Sequence, residues 1–287
     1  MRILGSFVGC GLIVARRFAQ SYIVNMKSPL LAAALALLLT ASVQAQRDLQ
    51  ESTFDTPIET QVVDFGLSSA NPPGGQNMRI KLSCFIYANF MVKEYNDEGM
   101  KGAEWLSIAS ITGQTPPACS QEHGQGEKVF GKGGEWTGYY WGAKGNYVFF
   151  SADDGWDGGI PFAVYNFKTG KKVFEDSSYE GGNWNPKPEP SPFNTLRVTT
   201  AEGHPLTLIY LRVVEAKCDL HLWEKEACWG RVRRKLGIKD ARMPTCINYE
   251  KIDIRYDSAV AYAVKVLLSK PPVVRTIAGP VKCWPVD

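Results

Sequence analysis

Histidine is scarce in this 287-residue chain: His123, His204 and His221 are the whole complement. No serine sits in a Gly-x-Ser-x-Gly elbow, no helix carries His-Glu-x-x-His, and no glycine-rich loop is built to cradle phosphates. These absences remove the commonest sequence signatures of serine hydrolases, zinc peptidases and nucleotide-binding enzymes. A surplus of charge is lacking as well. Residues 1–45 hold Arg2, Arg16, Arg17 and Lys27 and no acid, which leaves 28 bases against 29 acids in the rest, a formal charge of −1. A generally basic, nucleic-acid-seeking protein is therefore not expected. Beyond Ala45 no apolar run approaches the roughly 20 residues that a membrane-spanning helix needs. The mature chain is expected to be soluble, with no transmembrane span.

What is present begins with a leader. Lys27 supplies a positive start, Leu30 to Leu39 form a short apolar stretch, and Val43-Gln44-Ala45 offers the small-residue pattern that a signal peptidase cuts. Cleavage is expected after Ala45, which makes this an exported protein, bacterial and periplasmic or secreted. No cysteine follows the apolar run, so a lipid anchor on the mature N-terminus is not expected. Residues 1–25 carry a second apolar patch and then Arg16-Arg17. They are read as preceding a true start at Met26; a long bipartite n-region and a twin-arginine signal are the alternatives, and all three export the chain.

Cysteine usage agrees with export. Cys10 falls in the leader, and Cys84, Cys119, Cys218, Cys228, Cys246 and Cys283 remain. An even number in an exported chain reads as three disulfides. Proximity pairs Cys84 with Cys119 and leaves the other four to pair among themselves. The competing reading is a zinc site from Cys218-x-x-His221 with Cys228 and Cys246, although that spacing matches no compact zinc motif.

The mature chain reads as all-β or β-rich. Residues 46–78 are polar and turn-rich, an irregular lead-in with a short strand at Val62–Phe65, and 79–287 form the β-rich domain. Strands are expected near 80–86, 90–95 and 104–109. The stretch 136–175 reads as a hairpin turning at Gly142–Gly145, followed by strands near 162–166 and 173–174. This succession resembles one blade of an irregular propeller, with a β-sandwich as the alternative. Two further strands are expected at Leu206–Val214 and Val260–Leu268. Alternate prolines at 185–192 mark a stiff connector and a potential sub-boundary. One short helix is expected at 224–236, with acids at its start, bases at its end and Gly237 after it. Cys228, Val232 and Leu236 then share its buried face.

Three features are candidates for function. Asp153, Asp154 and Asp157, on a glycine-bent backbone, offer oxygen ligands for calcium or the carboxylates of a hydrolase; the alternative is a solvated turn. Arg231, Arg233 and Arg234, with Lys235, Lys239 and Arg242, form a basic run for an anionic surface, or simply a solvated helix face. Trp136, Trp156 and Trp184 lie in glycine-rich loops, where aromatics are available for recognition. The function expected is a binding or interaction module on a disulfide-braced β scaffold, with an envelope protein or glycan as partner. An envelope hydrolase, or a structural or accessory envelope protein, is the alternative. The cysteine reading predicts a non-reduced mature mass three proton pairs below the all-thiol mass, and a mass matching six free thiols would exclude it.

Overall fold

A computed structural model describes residues 54–70, 77–113, 115–131, 138–155, 159–179, 196–200, 204–221, 224–240, 242–247 and 257–286. The leader expected at 1–45 and the connector expected at 185–192 lie outside these residues. Among them are two antiparallel sheets and one helix. The first sheet is a five-stranded meander, β1 (Glu59–Leu67), β2 (Arg79–Ile86), β3 (Phe90–Asp97), β4 (Trp105–Ser110) and β5 (Lys128–Phe130), paired in that order. β1 occupies nine residues of the stretch read as irregular, and the strand expected at 62–65 is its middle.

The second sheet contains β6 (Gly138–Lys144), β7 (Tyr147–Ala152), β8 (Ile160–Asn166), β9 (Lys171–Ser178), β10 (Arg197–Thr199), β11 (Thr207–Glu215), β12 (Ser258–Leu267) and β13 (Val273–Pro285). Its order is β13-β12-β11-β9-β8-β7-β6, with β10 lying beside β11. The propeller does not close. A propeller would start a new blade after β9, whereas here the chain returns to extend the same sheet, through the single Arg212–Ser178 pairing of β11 with β9. Asp176 braces that joint by accepting from Arg212 Nε at 2.8 Å and from the Tyr210 hydroxyl. The sandwich alternative fits. The expected turn at 142–145 is also displaced: β6 runs on to Lys144, because a bulge at Trp141 absorbs the irregularity.

Alternation along the strands explains the stacking. Phe90 and Val92 of β3, Leu106 and Ile108 of β4, and Phe130 of β5 point one way and meet Val148, Phe150, Ala163 and Tyr165 of the second sheet. The ring centroids of Phe130 lie 5.2 Å from Phe150 and 4.5 Å from Tyr165. The opposite faces have their own cover. Phe149, Phe162 and Val164 join Leu208, Tyr210, Val260, Tyr262 and Val264 under the helix.

That helix, α1 (Lys225–Leu236), matches its expected span closely. Glu226 lies in its first turn and Arg233, Arg234 and Lys235 in its last, which suits the helix dipole. Gly237 ends it in the left-handed conformation at φ 67°, and Ile238 N–H returns to Arg233 O at 3.0 Å. Cys228, Trp229 and Val232 are buried beneath it. Disulfides join Cys84–Cys119, Cys218–Cys228 and Cys246–Cys283. The zinc reading falls here, because the sulfurs it needs are consumed in disulfide bonds. No helix among the described residues is long and apolar enough to cross a membrane.

Phe150 is fully buried where the sheets meet. Phe150→Ala is expected to cost about 3–5 kcal/mol, from lost transfer free energy and a cavity the rigid sheets cannot close. Chemical denaturation checks this, and a loss under about 1 kcal/mol would contradict the assigned interface.

Candidate interaction edge

β1 is an outermost strand: it pairs with β2 on one side, and no strand among the described residues pairs with its other side. A free edge presents unpaired backbone donors and acceptors, and natural proteins blunt such edges with lysine, proline or covering elements. β1 contains no lysine, arginine or proline. Its defence is a bulge between Asp64 and Gly66 together with exposed Glu59 and Asp64, but apolar side chains are exposed along it as well. Ile58 just before it is 73% exposed, Val62 58%, Phe65 45% and Leu67 56%, half of the eight exposed large apolar side chains among the described residues. The strand is held in register from behind. Arg79 on β2 pairs with Asp64, and the Phe65 ring meets Tyr95 edge-on at 5.7 Å. Asp64 is thereby neutralised, and Glu59, which accepts only from Gln61 Nε2 at 2.8 Å, has no cation among the described contacts.

The face of the first sheet that turns away from the second is closed by the chain between β4 and β5. Cys119 anchors this segment covalently to Cys84 on β2. Glu127 anchors it electrostatically. Its carboxylate accepts from Lys93 Nζ at 3.2 Å, Gly124 N–H at 2.8 Å and the Ser107 hydroxyl, with His123 Nδ1 at 3.3 Å. Lys93 donates a second bond to Glu122 O at 2.8 Å. Both charged side chains are only 1% exposed. Burial pushes the Glu127 carboxyl upward, but the hydrogen bonds from Ser107, Gly124 and His123 and the Lys93 charge outweigh it and hold the group below the ordinary glutamate range. Although serine, histidine, lysine and glutamate converge here, Ser107 is fully buried and gives its proton to Glu127, not to His123. The arrangement fastens a loop; it does not activate a nucleophile. No sequence motif marks the cluster, because its members come from β3, β4 and the loop that follows.

The residues singled out from sequence are dispersed. Asp154 is 65% exposed; its Oδ2 accepts from Lys101 Nζ at 2.5 Å and its Oδ1 from Gly155 N–H at 2.8 Å. Lys101 holds the Asp154 carboxyl below its usual range. Asp153 is half-buried nearby, and Asp157 lies outside the described residues. No group of three metal-ligating side chains occurs among the described residues. Trp136, Trp156 and Trp184 also lie outside them. Arg231 and Arg234 are exposed on α1 and Arg233 is half-buried, while Arg242 is bound to Asp240 at 2.9 Å. The structure does not bring these arginines together with the acidic loop or with β1 in any described contact.

Glu127→Gln should destabilise the fold by about 3–5 kcal/mol, since it strands the Lys93 charge in the interior. The pH dependence follows from the lowered carboxyl. It stabilises the native state above the ordinary glutamate value, about 4.3, and the contribution disappears as pH falls through the lower folded value. Denaturation at several pH values should show a shallower acid slope for the variant than for the parent; parallel slopes would contradict the role given to Glu127. No protein-family model, no curated protein and no solved structure matches this chain.

Proposed function

We propose that this protein is an exported binding module, periplasmic or secreted, that takes up an extended segment of an envelope protein as an added strand along β1. The observation that carries the reading is the outer edge of β1, which pairs with no strand among the described residues and has Val62, Phe65 and Leu67 open to solvent. Three disulfides and the signal-like leader support an oxidising compartment outside the cytoplasm. The chemistry of the edge describes its partner. Alternate apolar side chains on the incoming strand would cover Val62 and Leu67, and a basic residue would answer Glu59. Self-pairing of two β1 strands supplies no such cation, because β1 carries no lysine or arginine.

Two measurements test the proposal. The N-terminal sequence of the protein recovered from the cell envelope or medium should begin at Gln46, and an uncut, cytoplasmic chain would exclude export. Crosslinked pull-down of the tagged protein from intact cells should recover one envelope protein in stoichiometric amount. A synthetic peptide carrying that protein's extended segment should then protect the β1 amides from hydrogen exchange. Val62→Lys should abolish both results while changing stability by no more than about 0.5 kcal/mol, as is usual for an exposed position. Equal recovery by the variant, or nothing above an unrelated exported control, would overturn the proposal. Dimerisation in sedimentation that Val62→Lys abolishes would replace the partner by a second copy.

A further inference from the structure

We infer that a second, separate site, the cleft beside the β8–β9 turn, binds a phosphate group. The cleft encloses about 350 Å³, at the lower end of the size range of small-molecule sites. Ser110 at the end of β4, Lys128 on β5, and Lys168, Thr169 and Lys171 of the turn line it, with Ile108 and Phe167 as its apolar wall. β5 is the edge of the first sheet opposite β1, so the cleft and the interaction edge do not share residues.

The turn is held by its own hydrogen bonds, and Lys168 and Lys171 have no carboxylate partner among the described residues. Asn166 Oδ1 accepts from Lys168 N–H at 3.0 Å, and Asn166 O accepts from Gly170 N–H at 2.8 Å. Gly170 takes the left-handed conformation at φ 61°, and an added Cβ would lie 3.2 Å from the Lys128 stem, so a glycine lets that side chain pass. Lys128 Nζ donates to Gly170 O at 2.5 Å and lies 5.2 Å from the centroid of Phe130 and 5.5 Å from that of Tyr165. Its ammonium is therefore fixed at the cleft, where the core aromatics hold it. Phe167 stacks on Phe90 at 4.5 Å and its N–H donates to Asn146 O at 3.0 Å, which ties the turn to β3 and to the β6–β7 turn. Lys172 is neutralised by Glu175, but no carboxylate among the described residues pairs with Lys128, Lys168 or Lys171.

Three lysines and two hydroxyl-bearing residues line one small cleft, a set that selects an oxyanion. The donor set favours phosphate over carboxylate. Lysines act as point charges that suit a tetrahedral dianion, whereas the planar fork that recognises a carboxylate bidentately belongs to arginine, and no arginine lines the cleft. A small phosphorylated molecule and a lipid head group present the same chemistry to the cleft.

The intact, disulfide-bonded protein is titrated calorimetrically with inorganic phosphate in a low-salt chloride buffer, and by co-sedimentation with phosphatidylcholine vesicles containing phosphatidic acid. Saturable one-site phosphate binding is expected, weakened about tenfold or more by the double substitution Lys168→Ala, Lys171→Ala and weakened by added salt. Lys172→Ala and Val62→Lys should both leave it unchanged, which separates this site from β1. Amide shifts at Thr169 and Gly170 in the parent protein give a readout that does not depend on any variant folding. Phosphate binding without vesicle binding assigns a small phosphorylated molecule; vesicle binding lost in the double variant assigns a head group. Binding of neither probe, binding that the double variant retains, or acetate binding as tight as phosphate would overturn the inference.

Discussion

Everything else in this molecule rests on the aromatic layer between its two sheets. Phe90, Phe130, Phe150 and Tyr165 are buried there with Val92, Val148 and Ala163, and each large side chain removed from water contributes roughly 1.5–3 kcal/mol. The layer does more than hold the sheets together. Phe130 and Tyr165 support the Lys128 ammonium, and Phe90 supports Phe167 beneath the β8–β9 turn. The cleft is thus built on rigid core residues, although the side chains that face solvent belong to a turn. β1 stands at the far edge of the same sheet, outside the layer, which is why its apolar side chains stay uncovered.

The outer face of the first sheet shows how such exposure is avoided elsewhere. The segment between β4 and β5 is polar and rich in turns, with little apolar surface of its own. A disulfide at Cys119 and a buried carboxylate at Glu127 hold it down over Leu82, Cys84, Met91 and Trp105. The covalent link limits the unfolded chain and the ion pair selects one placement of the loop. No equivalent cover reaches β1 among the described residues. An open edge next to a firmly closed face is the arrangement on which the proposed strand addition rests.

The two proposed sites use different physics at opposite edges of one sheet. At β1 the affinity would come from backbone pairing and apolar burial, which salt affects little. At the lysine cleft it would come from charge, in a chain whose residues beyond Ala45 are close to neutral, and so would be local and screened. Neither requires the acidic loop at 153–157, where Asp154 is committed to Lys101.

Much of this was legible in the amino-acid order, because it depends on neighbours along the chain. Alternation placed most of the strands, the dipole pattern and Gly237 placed the helix, and proximity paired Cys84 with Cys119. Local chemistry does not say how strands assemble. One hairpin series can open a propeller blade or continue a sheet, and here a single pairing between Arg212 and Ser178 decided for the sheet. The Glu127 cluster and the lysine cleft were invisible for the same reason: Lys93, Ser107 and Glu127, like Lys128 and Lys168, are brought together only by stacking and turn placement. β1 was the hardest to read, since Val62-Val63-Asp64-Phe65-Gly66 breaks alternation at its bulge. The order of residues determined the local elements and the covalent braces; long-range packing alone decided which edge stayed open and which cations came to share a cleft.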